Sequence, residues 1–140
     1  MTGYYHQPEG NRHAFTADGF LRTGDVGIMD ERGYTKIVDR KKDMILVSSF
    51  NVFPSELENV ISLCDGVLEC AVIGVPDAKQ GEAIKGFVVK DKPTLAEDDV
   101  ARYCQKNLTG YKQPKYIEFR DELRKSNVGK ILRRELRSVK

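Results

Sequence analysis

The sequence predicts three helices within residues 44–140, and the first follows from the spacing of its apolar residues. In the first segment, which follows Pro54, apolar side chains recur three or four positions apart, at Leu57, Val60, Ile61 and Cys64. This period places them on one face of a helix. Thr94 and Glu97 have the spacing of a capping box, which predicts the start of a second helix. The basic segment 130–139 predicts a short terminal helix.

Strand-like patterns fill the sequence between these helices. Residues 44–51 predict a small hairpin, and apolar, β-branched residues over 67–75 and 84–89 predict two buried strands. The first of these strands is expected to stop at Pro76. Residues 116–119 alternate as in a strand with one face in water. Helices and short strands in this order predict an α+β domain with a small sheet flanked by helices.

Residues 1–38 have a different pattern, rich in glycine and in isolated polar residues. Their regular signals are two short strand-like pieces, 27–29 and 34–38, joined by a turn over 30–33. Such a hairpin buries little surface by itself. We therefore expect it to be part of a larger sheet whose other strands lie elsewhere.

The composition indicates a globular domain and does not identify a ligand. With 40% hydrophobic and 31% charged residues, the 140-residue chain is typical of a globular domain with a modest core. A balance of 23 basic against 21 acidic residues is too even to indicate nucleic acid or a membrane surface. No apolar run reaches the ~20 residues that span a bilayer. The three cysteines lack CxxC spacing, which favours buried free thiols in a reducing cytosol.

Three polar motifs carry candidate chemistry. Asp25 lies in the glycine-flanked turn 23–27, where the backbone can approach a ligand and a carboxylate can accept hydrogen bonds from adjacent hydroxyls. The charge run 39–43 and Lys130, which follows a glycine, are the other two. Taken singly, these motifs are usually a turn former, a solvated linker and a surface lysine. Lys130 is not part of a Walker A loop, because Ile131 follows in place of serine or threonine.

In their order along the chain, these motifs resemble the last motifs of the acyl-adenylate-forming enzymes. This superfamily includes acyl-CoA synthetases, firefly-type luciferases and the adenylation domains of peptide synthetases. The resemblance is greatest to bacterial long-chain fatty acid–CoA ligases. It is carried by segments that together span nearly the whole chain: 18–25, 36–43, 108–115, 119–123 and 125–130.

The resemblance implies roles in ATP binding and catalysis. It implies that Asp25 binds the ribose hydroxyls of ATP and that Arg40 contacts the same ribose. The planar guanidinium has several donors, which suits an oxygen-rich partner. The resemblance makes Lys130 the catalytic residue, in contact with the carboxylate substrate and the α-phosphate. A cation there would offset the negative charge that gathers on phosphorus when two anions react.

The resemblance also implies a moving domain. Asp39 would be the hinge, with a side chain in water and a backbone that tolerates large φ/ψ changes. After the domain turns, four residues would line the tunnel for the pantetheine arm of coenzyme A: Ser48, Ser49, Phe50 and Asn51. Ser49 stands where the family usually has glycine, and Arg124 where proline is common. Serine adds a side chain where the backbone would pass the thiol arm. We expect the arginine to loosen the turn without affecting Lys130.

The implied organisation has three parts. Residues 1–38 would be the incomplete, β-rich end of a large N-terminal domain, 39–43 the hinge, and 44–140 the mobile C-terminal domain. The ligands would be a fatty acid, ATP with Mg²⁺, and CoA, with no metal-ligand set evident in this chain. No nucleic acid partner is expected, and the chain alone should be inactive without the missing N-terminal domain. The expected location is the cytoplasm, with peripheral association at the inner face of the membrane as an open alternative.

Two alternative functions stay open. Another adenylate-forming enzyme, such as an aryl- or short-chain acyl-CoA ligase or a carrier-protein-loading adenylation domain, would share these motifs. A non-enzymatic basic α+β module for nucleic acid or anionic membrane is the other, although the near-neutral charge balance argues against it. A basic cluster comprises Lys130, Arg133, Arg134, Arg137 and Lys140. Such a face is more often simply solvated, and attraction of CoA phosphates or anionic lipid heads is the alternative.

Overall fold

A computed structural model describes residues 1–138 of the chain. The chain separates into two compact units, Met1–Lys42 and Asp43–Lys140. The boundary between the units follows Lys42 and therefore falls within 39–43, the segment for which a hinge is predicted. The hinge itself and the three-part division stay predictions.

The first unit contains a short helix and a hairpin. Its elements are α1 (Pro8–Ala14), β1 (Asp25–Met29) and β2 (Thr35–Arg40). The two strands pair antiparallel, and the N–H of Gly33 donates to the carbonyl of Asp30 at 2.9 Å to close the turn between them. The hairpin was predicted, although both strands extend further than expected. Helix α1 was not predicted, since it contains Gly10 and Asn11, which are poor helix formers.

The hairpin exposes a large apolar surface. Ile28, Met29 and Ile37 are 60%, 70% and 60% exposed. Two strands cannot bury both of their faces, so apolar side chains remain in water within this unit. This agrees with the prediction that the hairpin belongs to a larger sheet, which stays a prediction.

The second unit is an α+β domain, as predicted. Its central strand is β6 (Gly81–Lys90), which pairs antiparallel with β5 (Val67–Asp77) along one edge. The other edge of β6 pairs antiparallel with β3 at Gly81 and parallel with β7 over residues 85–89. The other elements of the unit are β3 (Ile45–Val47), β4 (Phe50–Val52), α2 (Pro54–Ile61), α3 (Glu97–Asn107), β7 (Tyr116–Arg120) and α4 (Arg133–Ser138).

The core of this unit lies on both faces of β5 and β6. Alternate residues of β5 enter different clusters: Cys70 and Val72 pack with α2 and α3, whereas Ala71 and Ile73 pack on the face that receives Leu136 of α4. Strands covered on both faces read as continuous apolar runs. This explains why 67–75 and 84–89 were predictable as buried strands without a clear alternation.

Three element boundaries differ from the predictions. Strand β5 continues through Pro76, because β5 lies at the edge of the sheet, where proline is tolerated. The capping box at Thr94 is wrong: α3 begins after Ala96, whose N–H donates to a side-chain oxygen of Asp99 at 3.0 Å. Helix α4 begins at Arg133 rather than at residue 130, and Val139 lies outside the described residues.

The three cysteines are buried free thiols, which confirms the prediction from their spacing. They belong to the cluster formed with α2 and α3. Burial raises the pKa of Cys70 to about 12, with the carboxylate of Glu58 and the neighbouring Cys104 adding to the effect. A thiol with such a pKa carries little thiolate near neutral pH and is therefore a packing group rather than a nucleophile.

Candidate active site

Asp25 and Arg40 lie together at the open end of the hairpin. Asp25 begins β1, Arg40 ends β2, and the two residues are register partners. The Arg40 Nε lies 3.1 Å from the Asp25 Oδ1. The Asp25 side chain is 23% exposed and that of Arg40 is 55% exposed, so both can reach a ligand. A carboxylate acceptor beside a guanidinium donor can bind two neighbouring hydroxyls, as a ribose would present them.

The structure places Asp39 differently from the prediction. Asp39 is 5% exposed, so the expected side chain in water is wrong. It pairs with Val26 across the hairpin, and its Oδ1 accepts the N–H of Arg40 at 2.7 Å. The exposed residues of the charge run are Arg40, Lys41 and Lys42, and the two lysines enter a single 3₁₀ turn. The hinge at Asp39 stays a prediction, and its physical basis cannot be a solvated carboxylate.

The loop at Ser48 and Ser49 is the two-residue turn of a hairpin between β3 and β4. The two serines have φ values of +47° and +73°, and the flanking residues Val47 and Phe50 pair directly. Positive φ at both central positions is the signature of a type I′ turn, which favours asparagine and glycine. Serine at these positions is therefore strained, and the glycine usual in the resembled family would fit position 49 without strain.

Three contacts hold this hairpin in place. The N–H of Ser48 donates to the carbonyl of Gln80 at 2.9 Å, and the N–H of Leu46 donates to the Glu82 Oε2 at 2.7 Å. The ring of Phe50 stacks on Tyr111 with centroids 4.6 Å apart. The tip remains accessible, since all four predicted tunnel residues are exposed: Ser48, Ser49, Phe50 and Asn51. Sequence reasoning missed Glu82, because its partner is 36 positions away.

Ser49→Gly should raise the free energy of unfolding by about 1 kcal/mol, because a left-handed conformation costs an L-residue roughly that much and glycine almost nothing. Ser49→Val should lower it, because a β-branched residue at positive φ is more strained. Urea denaturation followed by circular dichroism measures both changes. Shifts in the same direction for the two variants would contradict the assignment of a type I′ turn.

Lys130 lies at the exposed end of a hydrogen-bonded turn. Lys125 and Ile131 form a β-bridge at its base, and the N–H of Ser126 donates to the carbonyl of Lys130 at 2.8 Å. The N–H of Lys130 in turn donates to the Ser126 Oγ at 3.2 Å, and Gly129 has φ +78°. The turn, which the arginine at position 124 was expected to loosen, is closed by its own hydrogen bonds. Such a turn presents an ammonium group on a long side chain from a defined base.

The basic cluster predicted near the C-terminus is not a free basic face. Arg133 pairs with Glu58 at 2.6 Å and Arg137 pairs with Asp43 at 3.0 Å, so carboxylates within the same unit offset both charges. Lys140 lies outside the described residues. These ion pairs argue against attraction of phosphates or lipid heads by Arg133 and Arg137, which stays a prediction for the cluster.

Within residues 1–138, no group of three or more histidine, cysteine, aspartate or glutamate side chains is arranged to hold a metal ion. Over the same residues, no helix combines the length and the apolar character that crossing a bilayer requires.

Comparison with known proteins identifies similar chains. The sequence model of one protein family, the AMP-binding enzyme C-terminal domain, matches residues 56–130. The chain is 56% identical over 137 residues to a long-chain-fatty-acid–CoA ligase of Escherichia coli O6:H1, and 58% identical over 137 residues to one of Yersinia pestis. Each alignment covers 98% of this chain and 24% of the relative. The chain thus spans about a quarter of the length of these curated relatives.

A solved structure is also similar over most of the chain. The crystal structure of ATP-bound MatB from Rhodopseudomonas palustris matches with a TM-score of 0.91 at 42% identity. The alignment covers 96% of this chain and 27% of that one.

Proposed function

The chain belongs to the family of AMP-binding enzyme C-terminal domains, and we propose that it is the C-terminal part of an ATP-dependent long-chain fatty acid–CoA ligase. The observation that carries this proposal is the 56% identity to such a ligase across 98% of the chain. In the first step, the fatty carboxylate attacks the α-phosphorus of ATP and pyrophosphate leaves. In the second step, the CoA thiolate attacks the acyl carbonyl and AMP leaves, which forms the thioester.

Asp25 and Arg40 are proposed to bind the ribose of ATP. Their ion pair at 3.1 Å supports this role, because it sets an acceptor and a donor side by side at the end of a paired hairpin. The carboxylate would accept hydrogen bonds from the ribose hydroxyls and the guanidinium would donate to their oxygens. A hydrogen bond to a charged group contributes roughly 1.5–3 kcal/mol. This pair would therefore supply much of the affinity for the nucleotide's sugar.

Lys130 is proposed to stabilise the transition state of the first step. Attack of a carboxylate on a phosphate brings two anions together, so negative charge accumulates at the α-phosphorus. An ammonium group at ~4 Å contributes about 4 kcal/mol at an effective dielectric constant near 20. That free energy corresponds to roughly a thousandfold in rate. The exposed, hydrogen-bonded turn that carries Lys130 suits delivery of this charge to a reacting centre.

A rotation of the C-terminal unit is proposed to separate the two steps. It would withdraw Lys130 after acyl-AMP forms and bring the β3–β4 turn, residues 48–51, to the pantetheine arm of CoA. Because the boundary between the two compact units follows Lys42, we assign the pivot to the segment that begins at Asp39 and ends at Asp43. Exposed Lys41 and Lys42 lie in the middle of this segment.

The remaining partners follow from the same proposal. Mg²⁺ would accompany ATP, and a larger N-terminal domain of the same protein would supply the acyl pocket. We propose a cytoplasmic location for the whole protein, with binding to anionic vesicles as the test of association with the inner face of the membrane. The chain by itself is expected to turn over nothing.

A substrate screen of the full-length protein tests the proposed function. With ATP and CoA present, palmitate should release pyrophosphate and form palmitoyl-CoA, whereas benzoate and amino acids should not. A preference for benzoate would favour an aryl-CoA ligase, and a preference for an amino acid would favour a carrier-loading adenylation domain. Release of no pyrophosphate with any carboxylate would contradict the proposal.

A further inference from the structure

Four charged side chains of the second unit form one connected set of ion pairs next to the turn that carries Lys130. The arginines come from α4 and the carboxylates from residue 43 and α2. Arg133 binds Glu58 with two hydrogen bonds, from Nη2 to Oε2 at 2.6 Å and from Nε to Oε1 at 3.1 Å. Asp43 accepts from Arg133 at 3.5 Å and from Arg137 at 3.0 Å. We refer to Asp43, Glu58, Arg133 and Arg137 as the ion-pair cluster.

The ion-pair cluster is largely removed from water and tied to the sheet. The side chains of Asp43, Glu58 and Arg133 are 10%, 19% and 21% exposed. Glu58 Oε1 also accepts the N–H of Val72, in β5, at 2.9 Å. A two-point contact between a guanidinium and a carboxylate is strong and fixes the relative orientation of both groups. The cluster therefore fixes the place of α4 against α2 and β5.

The position of α4 determines where the backbone of Lys130 lies. Helix α4 has 6 residues, and so short a helix is not stable by itself. It begins three residues after Lys130, and between them Ile131 packs on the second core cluster while the N–H of Leu132 donates to the carbonyl of Arg124 at 2.9 Å. Two residues that follow Lys130 therefore hold the turn: Ile131 packs against the sheet, and Arg133 belongs to the ion-pair cluster.

We propose that Arg133 is a positioning residue for Lys130 in acyl-AMP formation. Through Glu58 and Asp43 it orients the first turn of α4, and so sets the point from which the Lys130 ammonium group reaches the α-phosphate. This inference rests on the proposed function. The β3–β4 turn has its own contacts, to Gln80 and Glu82, and these remain when Arg133 is replaced. The two half-reactions should therefore respond differently to the loss of this arginine.

The test is Arg133→Met in the full-length protein, which removes the charge and keeps a long apolar side chain. A misplacement of about 1 Å can cost a hundredfold in rate, so palmitoyl-AMP formation should fall about tenfold to a hundredfold in kcat, with the KM for ATP unchanged. Thioester formation from supplied palmitoyl-AMP and CoA should stay within about twofold of the unsubstituted protein. Arg133→Lys should restore part of the first rate, since it returns the charge without the two-point contact.

Lys106→Met is the matched control, because it removes a positive charge from an exposed position on α3, outside the candidate site. It should leave both half-reactions within about twofold. Equal losses of both half-reactions in Arg133→Met would indicate a role in folding only and would overturn the inference, as would an unchanged rate of palmitoyl-AMP formation. If Arg133→Met does not fold, Glu58→Gln decides between the same outcomes, since it keeps the side-chain volume and the acceptor for Val72.

Failure of the inference and failure of the proposed function give different results. If the unsubstituted protein forms no palmitoyl-AMP, the proposed function fails. If it forms palmitoyl-AMP equally fast without the Lys130 side chain, the catalytic role of Lys130 fails and the ligase function stands. If that side chain matters and Arg133→Met behaves like Lys106→Met, only the positioning role of Arg133 fails.

Discussion

Lys130→Ala in the full-length protein should slow palmitoyl-AMP formation about a thousandfold while sparing the second half-reaction. The loss follows from removing a cation worth about 4 kcal/mol at ~4 Å from the α-phosphorus. Alanine changes nothing in the backbone hydrogen bonds that close the turn, since both involve main-chain atoms of Lys130. Exchange of labelled pyrophosphate into ATP, in the presence of palmitate, measures the first step.

The second step needs its own assay and its own control. With supplied palmitoyl-AMP and CoA, the Lys130→Ala variant should form thioester at nearly the original rate. Lys106→Ala removes the same charge from an exposed position on α3 and should leave both steps unchanged. A similar loss in both half-reactions would show that Lys130 does not act specifically at the α-phosphate.

Asp25→Ala should raise the KM for ATP roughly tenfold to a hundredfold. This range corresponds to the 1.5–3 kcal/mol of a hydrogen bond to a charged group. The KM for palmitate should change little, because the carboxylate of Asp25 would contact the ribose and not the acyl chain. Steady-state kinetics with each substrate varied in turn separates these effects. Asp18→Ala, at an exposed position in the same unit, is the matched control.

A double-mutant cycle with Arg40 sharpens this test. Asp25 and Arg40 are in contact at 3.1 Å, so their substitutions should not be additive. The Asp25→Ala, Arg40→Ala double variant should bind ATP more tightly than the sum of the single losses suggests, because each single variant leaves the other charge without its partner. Additive losses, or a rise in the KM for palmitate alone, would contradict a shared site for the ribose.

The two predictions separate binding from chemistry. Removal of Asp25 should act on the affinity for ATP, whereas removal of Lys130 should act on the rate after ATP is bound. The tests of Ser49 and Arg133 add the stability of the β3–β4 turn and the placement of Lys130. Together they assign a separate measurable effect to each part of the candidate site.

Local patterns were sufficient for most secondary structure. The period of Leu57 and Ile61 predicted α2, the apolar runs predicted β5 and β6, and residues 44–51 predicted the hairpin of β3 and β4. These predictions succeed because helix and strand periods depend on residues that are neighbours in sequence. Helix α1 was missed because a proline at its first position starts a helix that glycine and asparagine then disfavour.

Sheet order was beyond local reasoning. Nothing in residues 116–119 indicated that β7 would pair parallel with β6, since pairing depends on how the intervening helix returns the chain. The order of the motifs was a better guide to the candidate site. It predicted that Asp25 and Arg40 bind the same ribose, although it gave no sign of their contact across the hairpin. Their register is a tertiary consequence of the β1–β2 pairing.

The charge run 39–43 shows where sequence reasoning ends. Its composition marks it as polar and its motif suggests a linker, yet its members have opposite environments: Lys41 and Lys42 are exposed, whereas Asp39 and Asp43 are buried. Asp43 is buried because Arg137, 94 positions later, reaches it. Residue types and their periods establish elements and candidate chemistry locally. Which charges are desolvated depends on partners that only the folded chain brings within hydrogen-bond distance.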